Sequence, residues 1–162
     1  LRNKISCPKF KKIVGISWKS NSKNNTKKSL SLEEFILGIF SPKICFVTLQ
    51  YGDTKNEIKY IKNKYGIDII ELNEIDNFYD LDGLASIIKA CDLVVSIENI
   101  IFSLAGALGI ESKILLTKDC LFYNTSKDLE SYWFQSQEFF RQDSSGGWSN
   151  SLNQIKKKII IY

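Results

Sequence analysis

Nine basic residues, Arg2, Lys4, Lys9, Lys11, Lys12, Lys19, Lys23, Lys27 and Lys28, precede the first carboxylate at Glu33. The whole chain of 162 residues carries a formal net charge of only +4, so this block is a local asymmetry. Clustered cations suit an anionic partner. The competing reading of Arg2 to Lys12 is a solvated, loosely ordered tail, which divides the chain into a basic segment 1–11 and a folded unit 12–162. Polar residues that could receive a ligand gather where apolar runs stop: Lys19 and Asn21, Gln50 ahead of Tyr51-Gly52-Asp53, the stretch Glu74 to Tyr79, and Ser96-Ile97-Glu98-Asn99.

Other chemistries are excluded by what is missing. There is no histidine, so no Ser-His-Asp triad, His-ligated metal or His general base can form. No GxGxxG follows the first strand-like run, which continues instead as Trp18-Lys19-Ser20-Asn21, and no GxxxxGK[ST] occurs. An ordinary NAD site and a P-loop are both excluded, and neither a cofactor nor a metal is expected. Cys7, Cys45, Cys91 and Cys120 stand far apart without CxxC spacing, which suggests four free thiols in a reducing cytoplasm. The sequence contains no stacking ladder, reading helix or zinc spacing that would favour nucleic acid. No apolar run approaches the roughly 20 residues of a membrane span, and no signal peptide is visible. Methionine is absent, which reads as a piece of something longer.

The elements that must position these residues follow from periodicity. Strands are predicted over Ile13 to Trp18, Lys43 to Gln50, Ile67 to Leu72, Asp92 to Ile97 and Lys113 to Thr117, with a short sixth at Glu138 to Arg141. Between them lie helices: one capped by Ser31, one over Thr54 to Lys64 with Ile58, Ile61 and Tyr65 on one face, and one capped by Asp82. A fourth runs from Glu98 to Leu108 and stops at Gly109. The last buries Trp148, Leu152, Ile155 and Ile159. Such alternation predicts an α/β fold, a Rossmann-like doubly wound parallel sheet with helices on both faces. Ligands of such sheets bind beyond the carboxyl ends of the strands. That rule selects the loops Lys19 to Ser29, Tyr51 to Asp53, Asn73 to Leu81 and Ser96 to Asn99.

The succession GISWKSN, KKSLSLEEF, FVTLQYGD, DLVVSIENIIFSLAGALG and FFRQ followed by a Trp resembles the glycosyltransferase-like domain found behind tetratricopeptide repeats. It is more distantly similar to the C-terminal half of bacterial heptosyltransferases and of O-GlcNAc transferase. The resemblance runs from about Ile13 to Ile159, and its most specific piece is Leu104-Ala105-Gly106-Ala107-Leu108-Gly109 behind the DLVVS strand. It implies one half of a GT-B architecture and a nucleotide-diphosphate sugar, linked to UDP, GDP or ADP, as partner.

On that resemblance Lys28 matches a position that contacts phosphate, and the Glu98-Asn99 turn opens a helix whose free N–H groups and dipole suit a diphosphate. Lys19 and Asn21 face the same crevice, Gln50 offers an amide, and Ser96 lines it. Glu74 to Tyr79 falls where relatives hold the base, with Phe78 or Tyr79 as a stack or, alternatively, as anchors in the core. The sequence departs from the pattern at Glu98-Asn99, in place of Asp followed by Thr or Ser, and at Ser103, in place of His. Residues Lys118 to Tyr123 also lack the motif relatives carry there. Two readings stay open: a donor-binding domain whose catalytic base and acceptor site belong to another domain or to repeats of the parent chain, and a degenerate, non-catalytic binding module. A sugar-nucleotide epimerase, which shares the architecture, is a third.

Overall fold

A computed structural model describes residues 2–5, 7, 8, 11–20, 28–119 and 131–160. Six strands, β1 (Lys12–Ser17), β2 (Ile44–Thr48), β3 (Ile69–Ile70), β4 (Leu93–Ile97), β5 (Ser112–Leu116) and β6 (Gln137–Arg141), form one sheet in the order β3-β2-β1-β4-β5-β6. Every neighbouring pair is parallel. The protein is thus an α/β domain with an all-parallel sheet. The predicted third strand shrinks to two residues at the sheet edge, where Ile69 and Ile70 pair only with β2.

Helices cover both faces because the strands alternate their apolar residues at a period of two. Val14, Ile16, Leu93, Val95 and Ile97 face α1 (Leu32–Ile39), α2 (Lys55–Tyr65) and α5 (Ser149–Ile160). Ile13, Val47 and Val94 face α3 (Leu81–Ala90) and α4 (Ile100–Ala107). Trp148, Leu152, Ile155 and Ile159 are all buried, as their spacing predicts. Tyr65 is not: it turns outward from α2, and its hydroxyl donates to Glu33 on α1.

Local signals set the helix ends. Ser31 caps α1 by accepting from the Glu34 N–H at 3.1 Å. Asp80, not Asp82, caps α3 and accepts from the Gly83 N–H at 2.8 Å. Asn99 caps α4, and Gly109 follows that helix at φ 69°, the left-handed geometry a glycine provides without strain. Gly106 has a different role. A Cβ there would meet the Phe134 ring at 2.3 Å and the Gln137 amide at 2.8 Å. Gln137 begins β6 and donates to the Phe102 carbonyl of α4 at 2.7 Å. The LAGALG run is therefore a packing device that lets α4 press against the segment leading into β6.

The described part of the basic segment is not a free tail. Arg2 pairs with Asp92 at 2.8 Å and donates to the Ala90 carbonyl at 3.0 Å, while Ile5 is buried beside the α3 core. Burial opposes the Asp92 charge, but Arg2 and the Ile13 N–H outweigh it and hold the carboxyl below its ordinary value. The expectation of four free thiols is also corrected. Cys7 and Cys45 form a disulfide, with Cα atoms 6.0 Å apart. Pairing of Lys12 with Ile44 and of Ile13 with Cys45 in the parallel register brings the segment ahead of β1 alongside β2. That bond withdraws part of the ground for expecting a cytoplasmic location. Cys91 is free and buried, and burial pushes its thiol up to about 12. Cys120 lies outside the described residues. Among the described residues no helix is long and apolar enough to cross a membrane.

Two outcomes follow. Gly106→Ala is expected to destabilise the domain by about 1–3 kcal/mol in urea unfolding, because the Phe134 ring must move; an unchanged midpoint contradicts the packing role. Thiol titration of the denatured, unreduced chain is expected to leave Cys7 and Cys45 unreacted until a reductant is added.

Candidate functional site

The strand order reverses between β1 and β4, since β1 leads outward to β2 while the chain returns to place β4 on its other side. Crevices at such a switch point are where doubly wound sheets bind ligands. Here Ser17 and Ser96 are register partners at the ends of β1 and β4. Asn99 reaches across the gap: its Nδ2 donates to Ser17 Oγ at 2.8 Å and to the Lys19 carbonyl at 3.4 Å. Its Oδ1 accepts from the Ile101 N–H at 2.9 Å and from Ser96 Oγ at 3.2 Å. The cap of α4 is thereby also the bolt between two strand ends.

Gln50 does the same for β1 and β2. Its Oε1 accepts from Ser17 Oγ, the Trp18 N–H and the Lys19 N–H, each at 3.0 Å. Its Nε2 donates to the carbonyls of Lys19 at 3.1 Å and Tyr51 at 3.2 Å. The side chain is buried and its amide is fully committed within the protein, so Gln50 shapes the crevice floor and has no group left to extend. Ser96 is likewise buried, with its hydroxyl donating to the Ile97 carbonyl at 2.8 Å.

Both expected cations are present and both have carboxylate partners. Lys28 pairs with Glu98 at 2.9 Å, and the two side chains are 22% and 11% exposed. Lys19 pairs with Glu57 of α2 at 2.5 Å, and the same carboxylate accepts from Trp18 Nε1 at 2.8 Å. Glu57 thus fixes the indole of a wholly buried Trp18 and the ammonium beside it. An anion arriving here meets charges already compensated at short range. Asn21 lies outside the described residues. On either side of it, Ser29 Oγ accepts from the Ser20 N–H at 3.0 Å, and the Leu30 N–H donates to the Trp18 carbonyl at 3.0 Å.

The loop from Asn73 to Asp80 forms the second part of the site. Asp76 Oδ1 accepts from the N–H groups of Phe78 and Tyr79, at 2.8 and 3.2 Å. Asn77 Nδ2 donates to the Thr48 and Gln50 carbonyls, at 3.5 and 3.3 Å, and so ties the loop to the end of β2. The resulting turn points Phe78 and Tyr79 outward, 61% and 84% exposed, which rules out the core-anchor alternative for both rings. Phe78 meets Tyr51 edge-on at 5.9 Å and Tyr79 at 4.8 Å. A cavity of about 510 Å³ opens beside them, lined among others by Thr48, Gln50, Asp76, Asn77, Phe78 and Tyr79. Glu74 stands apart from this lining. It pairs with Lys4 of the basic segment at 3.2 Å; its own backbone N–H and then Lys4 hold its carboxyl below the ordinary value.

Of the sequence-derived candidates, Lys19, Lys28, Gln50, Ser96, Glu98 and Asn99 therefore gather around the ends of β1 and β4 through hydrogen bonds and ion pairs, Phe78 edges the adjoining cavity, and Glu74 joins neither. Residues not singled out by sequence include Ser17, Glu57 and Asn77. Ser17 sits in an apolar strand and Glu57 on a polar helix face, so neither carries a spacing signal; Asn77 lies in a loop already selected by the strand-end rule.

No protein-family model matches the chain. It is 32% identical over 146 residues, 88% of its length, to Protein FlbA of Caulobacter vibrioides, and it spans about a quarter (24%) of that relative. Among solved structures it is similar to E. coli heptosyltransferase WaaC with ADP-2-deoxy-2-fluoro heptose: TM-score 0.63, 13% identity, 96% of this chain and 45% of that one. WaaC with ADP gives a TM-score of 0.61 at 14% identity, over 96% of this chain and 44% of that one. The fold is that of a GT-B-type half-molecule, matched across nearly the whole of this chain.

The roles assigned to Gln50 and Phe78 predict stability effects of very different size. Gln50→Ala is expected to cost about 2–4 kcal/mol in chemical denaturation, because buried donors and acceptors at the ends of β1 and β2 lose their partner. Phe78→Ala, at an exposed position, is expected to stay within about 0.5 kcal/mol of the parent.

Proposed function

We propose that residues 12–162 are the donor half of a GT-B-type glycosyltransferase, binding a nucleotide-diphosphate sugar, with Arg2 and Ile5 of the basic segment 1–11 held against them. The observation that carries this reading is the continuity of two features through one residue. Gln50 lines the cavity edged by Phe78 and Tyr79, and it also anchors the Lys19 backbone at the switch point where α4 begins. A base can stack on the exposed rings while a diphosphate lies toward the α4 N-terminus. Support comes from the fold shared with WaaC, which is known with ADP and with an ADP-sugar analogue.

In transfer from such a donor, positive groups stabilise the departing diphosphate. Lys28 and Lys19 are the groups available, and each must exchange its carboxylate for phosphate oxygens. When Lys28 turns to the ligand, Glu98 remains as a negative charge beside it. The helix dipole and the lysine favour the anion, and Glu98 opposes it. No residue here is assigned as catalytic base. That group and the acceptor site would come from the remainder of the parent protein, an N-terminal domain or repeats, in the cytoplasm.

A second reading is favoured by the same ion pairs. With both lysines compensated and the Gln50 and Asn99 amides used internally, the domain could serve as a non-catalytic binding module that keeps the architecture.

Calorimetry at low salt separates the two readings, since screening weakens exposed ion contacts. The donor reading expects nucleoside diphosphate binding that Lys28→Ala weakens by about 1–3 kcal/mol and that Glu98→Gln strengthens. Absence of any binding at millimolar ligand removes the donor reading and leaves the module.

A further inference from the structure

The cavity at the ends of β2 and β3 has an excess of hydrogen-bond acceptors. Asp53, Glu71 and Asp76 all line it, and Lys55 is the one cation among its lining residues. Asp53 uses one carboxylate oxygen on the Lys55 N–H at 3.1 Å, and Asp76 uses one on Phe78 and Tyr79. Each keeps a second oxygen, and among the described residues none bonds the Glu71 carboxylate. Asn77 anchors one wall of the cavity. Its Nδ2 must face the Thr48 and Gln50 carbonyls, since an amide oxygen cannot accept from a carbonyl. That fixes Oδ1 as the opposite atom, and it is buried out of contact with solvent, which leaves the carboxylates as the charged acceptors open to a ligand.

A group placed in such a cavity is recognised by what it donates. We infer that this cavity selects a purine bearing an exocyclic amine, adenine or guanine, over uracil; the inference rests on the nucleotide-diphosphate reading above. Adenine offers its N6 amine, and guanine its N1–H and N2 amine, to the carboxylates. Uracil presents two carbonyls and a single N–H, so at least one carbonyl oxygen faces a lining of like polarity. A two-ring base also covers more of the Phe78 and Tyr79 faces than a pyrimidine does.

The test is calorimetry of the full chain with ADP, GDP, IDP and UDP. Hypoxanthine in IDP keeps both rings but has a carbonyl where adenine has its amine, and it lacks the guanine N2 amine. It keeps the N1–H of guanine, and so separates stacking and ring N–H donation from donation by an exocyclic amine. ADP or GDP is expected to bind about tenfold more tightly than both IDP and UDP, the size of one hydrogen bond to a charged group. The double variant Glu71→Gln, Asp76→Asn is expected to bring that ratio to about threefold or less, because neutral amides donate to carbonyls as readily as they accept. Asn at position 76 keeps an oxygen for the Phe78 and Tyr79 N–H groups, so the turn is preserved. UDP or IDP binding as tightly as both ADP and GDP overturns the inference and leaves the donor reading intact. A ratio that the double variant does not change overturns the assignment to the carboxylates. Absence of binding by all four ligands overturns the inference together with the reading on which it rests.

Discussion

Three strand ends meet at the top of this sheet, and two side-chain amides hold them. Gln50 gathers the ends of β1 and β2 through bonds to Ser17, Trp18, Lys19 and Tyr51. Asn99 joins β1 to β4 through Ser17 and Ser96 while capping α4. Ser17 Oγ is the shared atom, accepting from one amide and donating to the other. A parallel sheet leaves its terminal carbonyls and N–H groups without ladder partners, and burying them unpaired is costly. The amide network satisfies these groups where water would otherwise be required. The position of every loop around the crevice depends on it: the turn into Lys19, the Tyr51 corner, and, through Asn77 on the Gln50 carbonyl, the loop that carries Phe78.

The same arrangement sets the electrostatics. Lys19 and Lys28 stand at the crevice, yet each is held by a carboxylate, Glu57 and Glu98 respectively. A buried or half-buried lysine without a counter-ion would disfavour the folded state, so the ion pairs keep the unliganded crevice tolerable. They also set a threshold for any anionic ligand, which must offer each lysine more than the carboxylate does. A diphosphate has the charge to do so, whereas a single carboxylate ligand does not offer an obvious gain. The tension between a stable empty site and a responsive one is concentrated at Glu98.

Much of the fold was legible because parallel strands buried on both faces must be apolar throughout. IVGISW and DLVVSI could be read as central strands, and the i, i+4, i+7, i+11 spacing from Trp148 to Ile159 as one helix face. β3 is shorter than its apolar sequence suggests, because at the sheet edge only Ile69 and Ile70 pair with β2. The Ser31 cap carried a local signal, but Asp80 and Asp82 both fit a cap and only geometry chooses between them. The candidate site was legible as loops and less so as roles. Strand-end position identified Gln50 and Asn99, while their commitment to backbone partners depends on distances across 30 to 80 residues of sequence that no local pattern encodes. For the same reason the Cys7–Cys45 bond carries no local sequence signal, since parallel register rather than spacing brings the two together.

On the donor reading, one crevice organised by Gln50 and Asn99 receives a nucleoside diphosphate with its base at the Phe78 loop and its phosphates at the start of α4. Amide chemical-shift mapping during an ADP titration tests this most directly. The account predicts a contiguous set of perturbed amides that includes Asn77, Phe78 and Tyr79 at one end and Asn99, Ile100 and Ile101 at the other, with Gln50 between them. Perturbations confined to another surface, such as the α5 face or the β6 edge, would contradict it, as would binding that leaves the α4 N-terminus unshifted.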